Sequence, residues 1–149
     1  MKNKLMILNV IKLSYKKKDI EKKQIDSSKS AVVYLRNLYN KNTIGLREEF
    51  FALYLDMQNS IIGFIKVSEG GTTGTVCDIK LIMTVALKVV CQGIIISHNH
   101  PGGILKPSAQ DFITTKKVKQ ACKIFNISLL DHIILTENDY LSFADDSIL

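Results

Sequence analysis

Gly93 to Asp111 reads GIIISHNHPGGILKPSAQD, and this stretch decides the architecture. Gly93-Ile94-Ile95-Ile96 is a short apolar, β-branched run behind a glycine, the pattern of a buried strand. His98 and His100 close that run. On a strand, residues two apart point to the same side, so both imidazoles can face one ion. On a helix the same pair would diverge by roughly 200°. Pro101, Gly102, Gly103 and Pro107 then force a short turn, and a helix starts at Ser108. The turn carries Asp111 back toward the strand end. Two histidines and one carboxylate suit a zinc ion, with a fourth tetrahedral position left for water, as in an open rather than a closed site.

Working outward, the chain alternates helix and strand patterns. Residues 5–15, LMILNVIKLSY, suggest a first strand, and Lys16 to Lys29 a polar, exposed connector. Ser27 or Ser28 can cap a helix through SAVVYLRNLYN, where Val32, Leu35 and Leu38 recur at helical spacing. EFFALYLD (49–56) and IIGFIKVS (61–68) read as two strands joined by a turn near Gln58-Asn59. EGGTTGT (69–75) is a glycine loop. Residues 78–92 read as a helix capped by Asp78 and ended before Gly93. After the histidine strand come a helix from Ser108 to about Asn126, a strand over 129–136 and a short strand over 140–145. The order is mixed α/β, with one hairpin and several strands joined through helices. We divide the chain into a basic N-terminal strand and connector, 1–27, and one folded domain, 28–149.

The chain has 149 residues and 46% hydrophobic content, enough for one real core. Apolar runs are too short for a membrane span, and MKNKLMILNVIK lacks a small-residue cleavage site, so the expected location is cytoplasmic. The net charge of +6 is concentrated at one end: residues 1–25 hold eight Lys against Asp19 and Glu21, and the remainder balances. A basic arm of this kind can contact nucleic acid, or simply be a solvated terminus. The three cysteines, Cys77, Cys91 and Cys122, contain no CxxC pair and fit a reducing compartment. Cys91 and Cys122 fall in helical patterns as small core residues, and Cys77 lies near the glycine loop.

A zinc site that hydrolyses amides also needs a carboxylate to carry the proton. Glu48 and Glu49, at the entrance to EFFALYLD, are the candidates; they alternate in direction, so only one can face the site. Ser108 and Asp111 form S-x-x-D, a capping-box helix start. Ser108 can therefore be a cap, a donor to a developing oxyanion, or both. A helix N-terminus favours an anion, which suits Asp111 as a ligand. His132 beside Asp131 reads as a hydrogen-bonded core histidine, with support of a metal ligand by either residue as the other reading. EGGTTGT lacks the Gly-Lys-Ser/Thr ending of a phosphate loop and reads as a strand-to-helix turn lining the cleft.

Glu48, His98-Asn99-His100-Pro101, Ser108 and Asp111 together resemble the JAMM (MPN-plus) metalloprotease motif. With IIISHNHPGG, PSAQD, LLDHIIL and YLSFAD, the chain from about Ser28 to Asp146 resembles the RadC family. The resemblance implies a mixed β-sheet flanked by helices, with a cytidine-deaminase-like layout. It implies His98, His100 and Asp111 as zinc ligands, Glu48 rather than Glu49 as the acid/base, and Ser108 as a stabiliser of the tetrahedral intermediate. Three departures stand out. The residues before Ser28 are too few and too strand-like for the helix-hairpin-helix of full-length relatives, so the chain resembles a short form. The family's HPSG is HPGG here. Its Arg-Glu after the glycine loop is Lys80-Leu81, a change expected to alter substrate contacts or helix packing.

The expectation is a zinc-dependent hydrolase, metallopeptidase-like, with one zinc per chain and a peptide or isopeptide substrate. The alternative is a DNA-repair or mobile-element protein that binds nucleic acid through the basic arm and uses the metal site only as an accessory. Deamination is set aside, because zinc deaminases need H-x-E and P-C-x-x-C and neither is present. An N-terminal strand with a free edge could also pair chains into an oligomer.

Overall fold

Two strands whose seven residues are all buried mark the middle of the sheet: β1 (Glu49–Leu55) and β3 (Gly93–Asn99). A computed structural model describes residues 14–19, 21–70 and 76–149. The other elements are β2 (Ile61–Glu69), β4 (Ser128–Leu135), β5 (Tyr140–Ser142), α1 (Ser28–Arg36), α2 (Ile79–Val89) and α3 (Ala109–Ile124). The five strands run in the order β2-β1-β3-β4-β5. Only β3 and β4 are parallel, joined through α3, and the other neighbours are antiparallel. The result is the expected α/β fold with a mixed sheet flanked by helices.

Period-two alternation divides the core into two layers. Phe50, Ala52, Tyr54, Ile94 and Ile96 pack with Ile82, Met83 and Ala86 of α2 and Val118 and Cys122 of α3. Phe51, Leu53, Leu55, Ile95, Ile133 and Leu135 pack on the other face with Ala31, Val32 and Leu35 of α1. Strands covered on both faces read as continuous apolar runs, which is why GIII and EFFALYL show no polar alternation. Gly93 lies close to β4: a Cβ there would be 2.6 Å from Leu130 Cδ1, so a larger residue would have to displace that side chain.

Several boundaries differ from the sequence reading. α1 is capped by Ser27, with a reciprocal bond from Ser30, but it stops at Arg36 rather than continuing to Asn40. The chain turns there because Tyr39 must enter the core, where its hydroxyl meets Ser97 Oγ at 2.9 Å. α2 stops at Val89, because Val90 takes a left-handed conformation (φ 54°). Cys91 is therefore buried but not helical. β5 ends at Ser142, since Asp131 draws in the Ser142 hydroxyl (2.6 Å) and the Ala144 amide (3.0 Å). The expected connector is not wholly exposed. Ile61 N–H donates to Lys23 O at 2.7 Å, Ile25 N–H donates to Asn59 O at 2.9 Å, and Ile25 is buried. The expected strand over 5–15 lies outside the described residues except for 14 and 15, which have no regular structure, and the glycine loop lies outside them over 71–75. Among the described residues no helix is long and apolar enough to cross a membrane.

Candidate metal centre

β3 carries His98, His100 follows directly after its last residue, and the first turn of α3 supplies Asp111. His98 Nε2 lies 2.9 Å from His100 Nε2 and 3.1 Å from Asp111 Oδ1, and His100 Nε2 lies 3.5 Å from Asp111 Oδ2. These three side chains are the one such group of metal-ligating atoms among the described residues. Tetrahedral zinc with nitrogen and oxygen ligands separates neighbouring ligand atoms by about 3.3 Å, so the spacing fits.

The tautomers decide whether this cluster can take a cation. His98 Nδ1 meets His132 Nε2 at 2.8 Å, and His132 Nδ1 meets Thr115 Oγ1 at 2.6 Å. The Thr115 hydroxyl donates to the Asp111 carbonyl at 2.6 Å. That last donation fixes the direction of the whole chain. Thr115 Oγ1 must accept from His132 Nδ1–H, so His132 Nε2 carries a lone pair and accepts from His98 Nδ1–H. His98 then keeps a bare Nε2. His132 stays neutral, because complete burial, with the His98 charge next, pushes its pKa well below the ordinary value. His100 Nδ1 lies 2.7 Å from the Ile104 carbonyl, so it too is the protonated nitrogen and Nε2 is bare. Two lone pairs facing each other at 2.9 Å repel unless a cation or proton sits between them. Metal-binding histidines are held in this way, with the second ring nitrogen donating to a fixed acceptor.

Asp111 completes the set. Burial raises its pKa, but the adjoining His100 and His98 imidazoles and the Ser108 amide outweigh that and hold the carboxylate well below its usual range. Its Oδ2 accepts from Ser108 N–H at 2.6 Å, and Ser108 Oγ accepts from Asp111 N–H at 3.2 Å. Asp111 therefore caps with Oδ2, which also lies 3.5 Å from His100 Nε2, and turns Oδ1 to His98, so the cap leaves the carboxylate facing the histidines. Ser108 uses an oxygen lone pair in the cap, so its O–H remains a donor.

The register separates the two glutamates. Phe50 pairs with His98 across β1 and β3 and stacks on its ring, with centroids 5.8 Å apart. One alternation back, Glu48 falls on the histidine side, opposite His100, and its charge is among those that raise the His100 pKa, after the larger effect of Asp111. Glu49 falls on the other face. It is buried there and paired with Lys66.

Sequence reasoning missed Thr115 and Asn99. Thr115 was legible in principle: Asp111, Thr115, Val118 and Cys122 form the buried stripe of α3, and a threonine in such a stripe needs a partner. Asn99 is fully buried and bonds to Glu49 N–H, Ile44 O and Arg47 O. Asp131 does not reach the metal side; it holds Ser142 and Ala144. Cys77 packs against the core, and burial pushes its thiol up to about 12. Gly102 faces open space, so the family's serine would fit there, whereas Gly103 has φ +76° and needs glycine. Lys80 and Leu81 are exposed on α2, so that departure leaves helix packing unchanged.

A family model described as "RadC-like JAB domain" matches residues 25–148. The chain belongs to this family. A "UPF0758 protein" from Flavobacterium johnsoniae is 39% identical over 126 residues, 85% of this chain and 54% of that protein. A "UPF0758 protein" from Aquifex aeolicus is 35% identical over 125 residues, 84% of this chain and 52% of its own length. The chain thus spans about half the length of these curated relatives.

Proposed function

We propose that this RadC-like domain is a zinc-dependent hydrolase that cleaves an amide or isopeptide bond. The observation that carries the reading is the convergence of two bare imidazole nitrogens and an ionised carboxylate, each held from behind by a fixed partner. His98, His100 and Asp111 would hold one zinc, which supplies Lewis acidity and a water acidified toward neutral pH. Glu48, on the same side, would take the proton of the attacking water and pass it to the leaving amine. The Ser108 hydroxyl would donate to the oxygen that gains charge as the carbonyl becomes tetrahedral.

Elemental analysis of the purified protein tests the metal. About one zinc per chain, lost in both His98→Ala and Asp111→Ala, supports the ligand set. A wild-type protein that holds no zinc after reconstitution refutes it. Glu48→Gln should keep the zinc and lose turnover of peptide or isopeptide substrates, and an unchanged rate would remove Glu48 from its role.

One observation favours nucleic-acid contact as a second activity. A cleft of about 530 Å³ is lined by Lys16, Lys17, Lys18 and Lys22 together with Tyr15 and Phe64. It lies by Asp56 and Val90, at the other end of β1 from Glu48. Lysines with exposed aromatics suit a single strand. Binding that weakens steeply with salt, and drops when these lysines become glutamine, is expected.

A further inference from the structure

Asn99 is the last residue of β3, stands between His98 and His100, and is completely buried. Alternation turns its side chain to the face opposite His98 and His100. There the amide is fully engaged: Oδ1 accepts from Glu49 N–H at 2.7 Å, and Nδ2 donates to Ile44 O at 2.6 Å and to Arg47 O at 2.9 Å. Two of these contacts bracket Glu48, one on the residue before it and one on the residue after. The Glu48 carbonyl itself accepts from Gly70 N–H at 2.8 Å. The β1–β3 ladder ends at the pair Phe50 and His98. Beyond that pair, Asn99 carries the register onward through its side chain.

We propose that Asn99 is a positioning residue that sets the placement of Glu48 relative to the metal centre. The proposal rests on the role given to Glu48 above. The segment before β1 consists of turns over 41–46; the strand entrance is laddered to β2 through the pair Glu49 and Glu69, but the ladder to β3 does not reach it. Glu49 pairs with Lys66, Lys66 reaches Glu69 at 2.8 Å, and Glu69 pairs with Arg47. Those ionic contacts tie the segment to β2, whereas Asn99 ties it to the strand that carries the ligands. The side-chain chemistry is demanding. One acceptor and two donors at this length are an asparagine property. Aspartate would set a second acceptor against two carbonyls, serine has one donor, and glutamine is longer by a methylene. A displacement of about 1 Å in a proton-carrying group costs on the order of 10²-fold in rate, so a clasp of this kind has catalytic consequences without touching substrate.

The test compares wild type, Asn99→Asp, Asn99→Ala, Glu48→Gln and the Asn99→Asp/Glu48→Gln double variant. Zinc content, turnover and amide hydrogen exchange are measured on each. The expected result is about one zinc in every variant. In Asn99→Asp, kcat should fall about 10²-fold with KM nearly unchanged. Adding Glu48→Gln to it should cost little more, because both changes remove one function. The Glu49 amide, whose acceptor is kept in Asn99→Asp and lost in Asn99→Ala, should exchange about tenfold or more faster in Asn99→Ala, while Leu53 in mid-strand keeps its protection. Multiplicative effects of the two substitutions, a wild-type kcat in Asn99→Asp, or loss of zinc from it would each overturn the proposal. If Asn99→Ala does not fold, Asn99→Leu, of nearly the same size and without the acceptor, takes its place in the exchange measurement. If zinc-loaded wild type turns over no substrate, the hydrolase reading fails separately. The clasp then stands or falls on exchange alone: a Glu49 amide equally protected in wild type and in the folded variant without the acceptor overturns it.

Discussion

Thr115→Val probes the metal site without touching a proposed ligand. Valine has nearly the shape of threonine, so packing is preserved and only the hydroxyl is lost. That hydroxyl makes two buried contacts, each 2.6 Å long, to His132 Nδ1 and to the Asp111 carbonyl. Losing them, and leaving a buried imidazole N–H unpaired, costs about 1–3 kcal/mol of stability. The effect on metal is a consequence of tautomers. Without an acceptor at Nδ1, the single proton of His132 can move to Nε2, 2.8 Å from His98 Nδ1. His98 Nδ1 must then accept, and its own proton moves to Nε2, the atom that faces the ion. Binding zinc has to reverse that shift. Loss of such a supporting partner lowers metal affinity by about 10–100-fold, or about 1.4–2.7 kcal/mol, which falls within the hydrogen-bond range. Zinc competition against a chromophoric chelator measures the affinity, and denaturant unfolding of the metal-free protein measures the stability. Thr115→Ser retains the hydroxyl and should bind zinc like wild type. If Thr115→Val also binds zinc within about twofold of wild type, the tautomer argument is wrong.

Other expectations concern the scaffold. Val90 is a β-branched residue in a left-handed conformation and is 74% exposed, so Val90→Gly should raise stability by about 1 kcal/mol in thermal unfolding. Asp56 accepts the amides of Ser60 and Gln58 across the β1–β2 turn, each at 2.9 Å, and its carboxyl is held below the ordinary range, chiefly by Ser60. The folded value lies below the unfolded one, so this contribution is complete above about pH 4 and fades as pH falls through the folded value. Asp56→Ala should cost about 1 kcal/mol at neutral pH and flatten that part of the pH–stability curve. At the turn after His100, Gly103→Ala should destabilise by about 1 kcal/mol, because its φ is positive, whereas Gly102→Ser should be nearly neutral. Equal effects of the two glycine changes in unfolding experiments would refute that distinction.

Much of this was legible before any coordinates. The candidate triad could be read because each part of it is local. Strand periodicity puts His98 and His100 on one side, and the capping pattern places Asp111 in the first turn of α3. The two meanings of Ser108 and Asp111 were both visible, and the structure shows that they do not compete. The boundaries that slipped were those set by distant partners. α1 ends where Tyr39 turns to reach Ser97, and β5 ends where Asp131 collects Ser142 and Ala144. Neither partner is near in sequence to the residue it constrains.

By itself, the sequence determined the elements, the mixed α/β order and the candidate ligands, because helix and strand periods, caps and turns are written within a few residues. Only the tertiary structure decided which way the imidazoles carry their protons. That depends on His132 and Thr115 arriving from β4 and α3. Strand alternation already put Glu48 and Glu49 on opposite faces, but only the pairing of Phe50 with His98 sets which of the two faces is the histidine side. And only the tertiary structure brought Asn99 against the segment that carries Glu48, more than fifty residues earlier in the chain. Strand register and hydrogen-bond direction are relations between segments, and no single segment encodes them.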